Sequence, residues 1–216
     1  DGLIAFSSRA KGLLGLPGVS NELDHSFLKA AAATNYRFLD TNNSLSPFRN
    51  IKQVPPGTIV RFDDKKMRTE QFASLTVDEI RRSNKPTREE YIHLFNRAVS
   101  KRLRAAKKPI FSLSGGLDSS SVVSMAQQIT QKKQTAISTV HPNKLYDEQE
   151  EILDVIKAGK ANWNSVTITN PNIFEKLTEI YSSHDYPLPT VTWLNHLLLA
   201  EEAAKLGYTD LFTGLG

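Results

Sequence analysis

Cysteine is absent from all 216 residues. Within them, that excludes disulfides, thiolate metal sites and a cysteine nucleophile, and it agrees with the reducing cytoplasm expected as the location. Long apolar runs are missing too. The longest candidate, 194–200, is broken by Asn195 and His196 and falls far short of the ~20 residues that cross a bilayer, so no membrane partner is expected. Asp1-Gly2-Leu3-Ile4 lacks the basic start of a secretory leader. Aromatic residues are only 8% of the chain, and none interleaves the basic run 101–108, as stacking on bases requires. Charge of one sign is scarce as well. The net charge is +4 from 27 basic and 23 acidic residues, so the clusters at 81–88 and 101–108 read as solvated faces. No nucleic-acid partner is expected. The chain opens with Asp rather than Met and stops just after an expected strand, so a piece of a longer protein is expected.

What is present describes a globular protein: 39% hydrophobic and 23% charged residues, enough to bury a real core. Up to about residue 72 the pattern is that of the end of a β-rich unit. Leu3 to Phe6 is expected as a short strand, and Arg9 to Leu16 as one or two helical turns ended by Pro17-Gly18. Asp24 is placed to cap a helix through Phe27 and Leu28 to Ala33. Thr58 to Phe62 and Met67 to Phe72 read as a hairpin. Ser74 to Lys85 lacks a steady period and reads as a linker.

The pattern then changes. Thr87 and Glu90 stand at capping-box spacing, and Tyr91, Phe95, Ala98, Val99 and Leu103 follow on one helical face. Beyond them strands and helices alternate. Strands are expected at 109–113, 135–140, 165–168 and 209–213, and helices at 119–130, 147–160, 173–182 and 192–206. Such alternation builds an α/β unit, a parallel sheet with helices on both faces, whose ligands bind beyond the carboxyl ends of the strands. The boundaries drawn are 1–75 for the first domain and 76–216 for the second.

The chemistry concentrates in one loop. After the strand at Phe111 come Ser114-Gly115-Gly116-Leu117-Asp118-Ser119-Ser120 and then a helix. Two glycines let main-chain amides approach an anion, and the helix points its positive end at the same place. Ser114, Ser119 and Ser120 add hydroxyl donors suited to phosphate oxygens. Asp118 would repel phosphate unless a cation lay between, which implies Mg²⁺. The Walker loop's Lys-Ser/Thr and the G-x-G-x-x-G spacing are both missing, so this is neither of the common nucleotide loops.

At this loop the sequence resembles the ATP-pyrophosphatase superfamily, which shares Ser-Gly-Gly-x-Asp-Ser and splits ATP between its α and β phosphates. Arg49 to Thr58 resembles the segment closing the glutaminase domain of asparagine synthetases, and Ala5 to Leu14 a strand-helix passage of the same domain. Tyr146-Asp147-Glu148, His184-Asp185-Tyr186-Pro187 and Phe212 to Gly216 are similar to three further segments, in order. The last of these resembles the start of a Gly-rich adenylate-binding turn.

The resemblance implies an adenine nucleotide alpha hydrolase-like fold, preceded by the C-terminal part of a glutaminase-like (Ntn-type) domain. It implies an ATP-dependent ligase that adenylates a carboxylate, with aspartate leading, and forms an amide with glutamine-derived ammonia. Catalysis would rest on Ser114 and Asp118, with Asp118 on magnesium. Ser114, Gly115, Gly116, Asp118, Ser119 and Ser120 would hold the pyrophosphate. Leu113, Thr139 and Val140 would border the adenosine, and Gly214 would lie against the adenylate. The expected partners are ATP, the carboxylate, and glutamine or ammonia, with room for a homodimer.

Residue-level readings leave alternatives standing beside these. Thr139 and Val140 also suit a plain core strand, and Asp147-Glu148 a plain helix start. His93, His141 and His196 read as structural or exposed. Arg9 stands where asparagine synthetases usually carry Glu, a feature of amide-forming relatives such as lasso-peptide cyclases; a peptide- or β-lactam-cyclising relative would use an internal amine. A tRNA-modifying ligase and a degenerate nucleotide-binding module complete the set.

Overall fold

The structure, a computed structural model, describes residues 4–33, 44–63, 66–74, 76–82, 85–143, 147–159, 161–167, 173–186, 190 and 192–214. Asp1, Gly2, Leu3, Tyr146, Lys160, Ile168, Pro187, Leu215 and Gly216, named above, lie outside the described residues, as do 64–65 between the hairpin strands. The chain forms two compact units. The first is Asp1–Asn84 with Thr178–Thr190, the second Lys85–Leu177 with the residues from 191 onward.

In the first unit a short 3-10 helix spans Ala10–Leu13, and α1 spans His25–Ala33. Asp24 caps α1 as expected: its Oδ1 accepts from the Phe27 amide at 2.9 Å. That bond holds the Asp24 carboxyl below its ordinary pKa, with Lys52 and Arg49 adding charge of the favourable sign. Phe27, Phe48 and Ile51 are buried, and the buried Ser46 hydroxyl ties their turn together by donating toward the carbonyls of Phe48 and Ile51. The hairpin is β1 (Thr58–Asp63) against β2 (Lys66–Gln71), antiparallel, with Ile59 opposite Glu70.

Two expectations fail here. Of the strand expected at 3–6, the described residues 4–6 form none, since no described strand lies beside them to supply hydrogen bonds. The stretch read as linker holds a helix, α2 (Val77–Arg82). Its start has the reciprocal bonds of a capping box: the Thr76 amide donates to Glu79 Oε2 at 2.7 Å, and the Glu79 amide to Thr76 Oγ1 at 3.1 Å.

In the second unit, α3 (Arg88–Ala105) opens on the expected box of Thr87 and Glu90. Then follow β3 (Pro109–Ser112), α4 (Leu117–Thr130), β4 (Gln134–Val140), α5 (Gln149–Lys157), β5 (Ala161–Thr167), α6 (Ile173–Ser183), α7 (Thr192–Lys205) and β6 (Asp210–Phe212). The four strands form one parallel sheet in the order β5-β4-β3-β6. Strand β5 starts four residues before the expected 165, because it is an edge strand whose polar Asn162, Asn164 and Ser165 give no apolar run to read.

Period-two alternation sends successive residues to opposite faces. Phe111, Leu113 and Ala136 pack with Val99 of α3, Val123 and Ala126 of α4 and Ile152 of α5. Ile110 and Ile137 pack with Leu199 and Ala203 of α7. The sheet is therefore covered on both faces, as the alternation requires.

Candidate functional site

The connections run β3, β4, β5 toward one edge, and the chain then crosses to lay β6 on the other side of β3. Strand order reverses between β3 and β6. In open parallel sheets the crevice at that reversal, beyond the carboxyl ends of the strands, takes the ligand. The loop 113–116 leaves β3 there, and Thr213-Gly214 leaves β6 beside it.

Local geometry explains the glycines. Gly115 has φ +58°, in the left-handed region, and a Cβ there would come within 2.5 Å of Glu151 Cβ on α5. Gly214 lies against the first turn of α4, where a Cβ would stand 2.5 Å from the Ser119 nitrogen. Both glycines let backbone approach where any side chain would collide.

The start of α4 contrasts with that of α3. Gly116 occupies its N-cap and supplies no side-chain bond, so the first amides of α4 keep the open donors of every helix start. Asp118, in that first turn, is exposed, and among the described residues its carboxylate has no ion-pair partner. Ser119 is 5% exposed, and its hydroxyl is engaged inside the loop. It accepts from the Ser114 amide at 3.1 Å and lies 3.1 Å from Ser114 Oγ and 3.3 Å from the Gly116 carbonyl. The Ser120 hydroxyl is buried and has no hydrogen-bond partner among the described residues, an expensive state unless something outside the loop satisfies it.

Two cavities flank the loop. One of about 190 Å³ is lined by Leu113, Ser114 and Thr139 together with His141, Asn195 and His196. The other, of about 820 Å³, has Asp118 and Gly214 in its wall with Arg88, Tyr91, Phe95 and Leu117. The candidate residues thus gather at one end of the sheet. Val140 closes β4 one residue past Thr139. Asp147 accepts from the His141 amide at 3.4 Å, and Glu148 stands at the α5 N-cap without a side-chain cap bond while lining the smaller cavity.

His141 and His196, expected to be structural or exposed, line the smaller cavity, and Asn195 and Ser138 carried no expectation at all. His141 was legible in principle, since it follows β4 at a carboxyl end. Asn195 and His196 were not, because a turn of α7 becomes a cavity wall only through tertiary packing. Ser138 is buried, at 1% exposure. Its hydroxyl donates to the Leu113 carbonyl at 2.5 Å and accepts from Trp163 Nε1 at 3.0 Å, fixing the last turn before Ser114.

Among the described residues no group of three or more His, Cys, Asp or Glu could hold a metal ion. A lone exposed carboxylate beside an uncapped helix still suits magnesium. That ion keeps most of its waters and takes one or two carboxylates plus phosphate oxygens brought by a substrate. Asp118 fits that donor set.

Residues 90–216, more than half of the chain, match the family profile Asn_synthase, described as asparagine synthase. No curated protein matches the sequence. Among solved structures, an NMN synthetase from Francisella tularensis aligns at 19% identity and TM-score 0.40, covering 59% of this chain and 54% of that one. An NH3-dependent NAD synthetase from Campylobacter jejuni, in complex with the nitrate ion, aligns at 16% identity and TM-score 0.37, covering 59% and 66%. The chain spans less than two thirds of either.

Proposed function

The chain belongs to the asparagine synthase family, and we propose that it serves an ATP-dependent ligase that activates a carboxylate as its adenylate and converts it to an amide. Aspartate is the leading acyl substrate, giving β-aspartyl-AMP and then asparagine with ammonia drawn from glutamine. Residues 1–75 are read as the C-terminal part of a glutaminase-like domain. The activity is assigned to the cytoplasm; among the described residues no helix is long and apolar enough to cross a membrane.

One observation supports the reading above others. At the reversal of the sheet, α4 begins uncapped, and among the described residues neither the buried Ser120 hydroxyl nor the Asp118 carboxylate in its first turn has a partner. Open amides and hydroxyls there suit a diphosphate. A carboxylate oxygen attacks the α-phosphorus of ATP, and the bond to the bridging oxygen breaks. Charge then grows on the departing pyrophosphate, where pre-aligned donors lower the barrier because they need no reorganisation. Magnesium held by Asp118 would neutralise part of that charge. The amine nitrogen next attacks the acyl carbon, AMP leaves, and the amine gives up a proton. Leu113 and Thr139 are assigned to the nucleoside side, Gly214 to the adenylate.

A second reading has its own support. Arg9 occupies the position where asparagine synthetases carry Glu, and its guanidinium is committed to the Ser183 carbonyl and to Asp185, 3.7 Å away. That departure favours a peptide- or β-lactam-cyclising relative, in which an internal amine replaces ammonia.

Exchange of labelled pyrophosphate into ATP by the intact protein tests both readings. Exchange should require a carboxylate, and scanning aspartate against other acids identifies which. Ser114→Ala and Asp118→Ala should each reduce exchange by ~100-fold or more, the scale of losing one transition-state donor. Undiminished exchange in both variants would remove the site assignment.

A further inference from the structure

One stripe of α7 changes character along its length. Residues 192, 195, 196 and 199 stand at i, i+3, i+4 and i+7, so they share a face, and Ala203 continues it one turn later. Toward the C-terminal end that face is apolar, with Leu199 and Ala203 buried against Ile110 and Ile137 of the sheet. Toward the N-terminal end it reads Thr192, Asn195 and His196, and there it lines the smaller cavity beside Ser114. A helix that served only to cover the sheet would keep the stripe apolar to its end. Asn195 and His196 are half-buried, and among the described residues neither side chain makes a hydrogen bond; the His196 ring stands edge-on to Trp193, centroids 6.1 Å apart. Half-buried donors and acceptors left open in a cavity wall are satisfied when a ligand brings partners.

Size and charge narrow what that ligand is. The cavity holds about 190 Å³, below the ~300 Å³ at which pockets begin to take a drug-sized molecule, so it suits a single ring system rather than a whole nucleotide. Leu113 and Leu199, 2% and 5% exposed, give it aliphatic surface on which a flat ring can lie. Glu148 lines it too, its carboxylate unspent on capping α5, and among the described residues no lysine or arginine does. That negative charge turns phosphates away, toward the open amides of α4, and accepts only from N–H or O–H groups. A flat ring with hydrogen-bonding edges is a nucleobase. An exocyclic amine is welcome beside an acceptor-only carboxylate, whereas a keto oxygen is not. An Asn amide matches adenine with two bonds at once.

We propose that Asn195 and His196 select the base of the nucleotide: the Asn195 amide accepts from the exocyclic amine of adenine and donates to the neighbouring ring nitrogen, and His196 supplies a further ring-nitrogen bond. The proposal rests on the adenylating reading of the Ser114 loop for its effect on catalysis, and it deepens that reading by naming what distinguishes ATP from a keto-purine nucleotide.

Inosine triphosphate differs from ATP at that edge alone. In carboxylate-dependent pyrophosphate exchange by the intact protein, wild type should prefer ATP by ~10-fold or more in kcat/KM, the scale of one bidentate base contact. Asn195→Leu is near in volume and apolar like the rest of the stripe. It should bring the two nucleotides within about 3-fold by raising KM for ATP, with kcat changed less than about 2-fold. His196→Ala should lower the preference by ~3-fold or more, and Asn195→Ala serves if the leucine variant does not fold. A wall that was merely displaced would raise both KM values alike, so a ratio that survives the substitutions overturns the proposal. If the wild-type protein shows no exchange with any carboxylate, the functional reading fails, and titration with AMP and IMP decides alone. A preference for AMP that Asn195→Leu abolishes upholds the base-selecting role. Equal binding of the two by wild type, or none, ends it, as does a preference unchanged in the variant.

Discussion

The loop at 114–120 and the segment at 181–186, a clasp bonded to the 3-10 helix Ala10–Leu13, each contain an aspartate, and the protein treats the two in opposite ways. Asp185 is nearly covered, with both oxygens bound to amides and a guanidinium alongside. Asp118 is exposed, beside a helix start without a side-chain cap and a serine hydroxyl that none of the described residues meets. Where a carboxylate satisfies backbone donors, it holds the fold. Where it and its neighbours are left unsatisfied, the missing partner is expected to come from outside the chain.

The largest effect should split these two carboxylates. Asp118→Ala should remove exchange while leaving stability within about 0.5 kcal/mol, as for surface positions that touch nothing. Asp185→Ala strands two amides and should cost roughly 1–3 kcal/mol, read as a lower urea midpoint. A destabilised Asp118 variant would break the comparison.

The next effect sharpens it at the glycines. Gly214→Ala drives a methyl into the Ser119 nitrogen and Gly115→Ala drives one into Glu151 Cβ, the latter from a left-handed backbone. Each should cost about 1–3 kcal/mol, and each should cut exchange more than a melting shift of that size explains. Equal loss of exchange from any comparably destabilising core change would show that the loop needs only a stable fold, not its own close packing.

How much of this was legible follows the range of the interactions. Ser-Gly-Gly-Leu-Asp-Ser-Ser is contiguous, and its place between β3 and α4 follows from local patterning, so the loop could be located from sequence. The parallel sheet followed from alternation alone. Helix α2 was readable and was missed: Thr76 and Glu79 repeat the spacing of Thr87 and Glu90, but too few apolar residues follow to show a period. The clasp could not be read, because nothing near His184-Asp185-Tyr186 announces that its partners are Arg9, Ala10, Lys11 and Phe27. Ser138 was equally silent, since its role exists only once Trp163 and Leu113 arrive from neighbouring strands.

A smaller effect concerns that serine. Ser138→Ala leaves the Leu113 carbonyl and the Trp163 indole N–H without their buried partner, at a cost of about 1–3 kcal/mol. It should lower the urea midpoint and leave KM for ATP within about 2-fold, because the strand pairing of Leu113 with Ile137 remains at 3.0 Å. A KM shift of ~5-fold or more would mean that this hydroxyl shapes the cavity as well as holding the strands.

The smallest effect is one of pH. Tyr186 is held above its ordinary pKa, first by burial and then by the charge of Asp185, while its bond with Gln53 pulls the other way. A raised pKa in the folded state means that folding favours the protonated phenol. The resulting stability is therefore full below the unfolded value near 10 and is lost as pH rises through the folded one. Asp210 has the opposite sign. Bonds from Thr209 and from the amides of Lys108 and Lys107 depress it, so its contribution is present above about 3.8 and fades in acid. The clasp should thus loosen on the alkaline side and the foot of β6 on the acid side. Raising pH from about 8 to about 10.5 should lower the urea midpoint of the wild-type protein more than that of Tyr186→Phe, which has no phenol to ionise. Equal alkaline losses in the two proteins would mean that Asp185 and burial do not act on Tyr186, and that the clasp is looser than its hydrogen bonds imply.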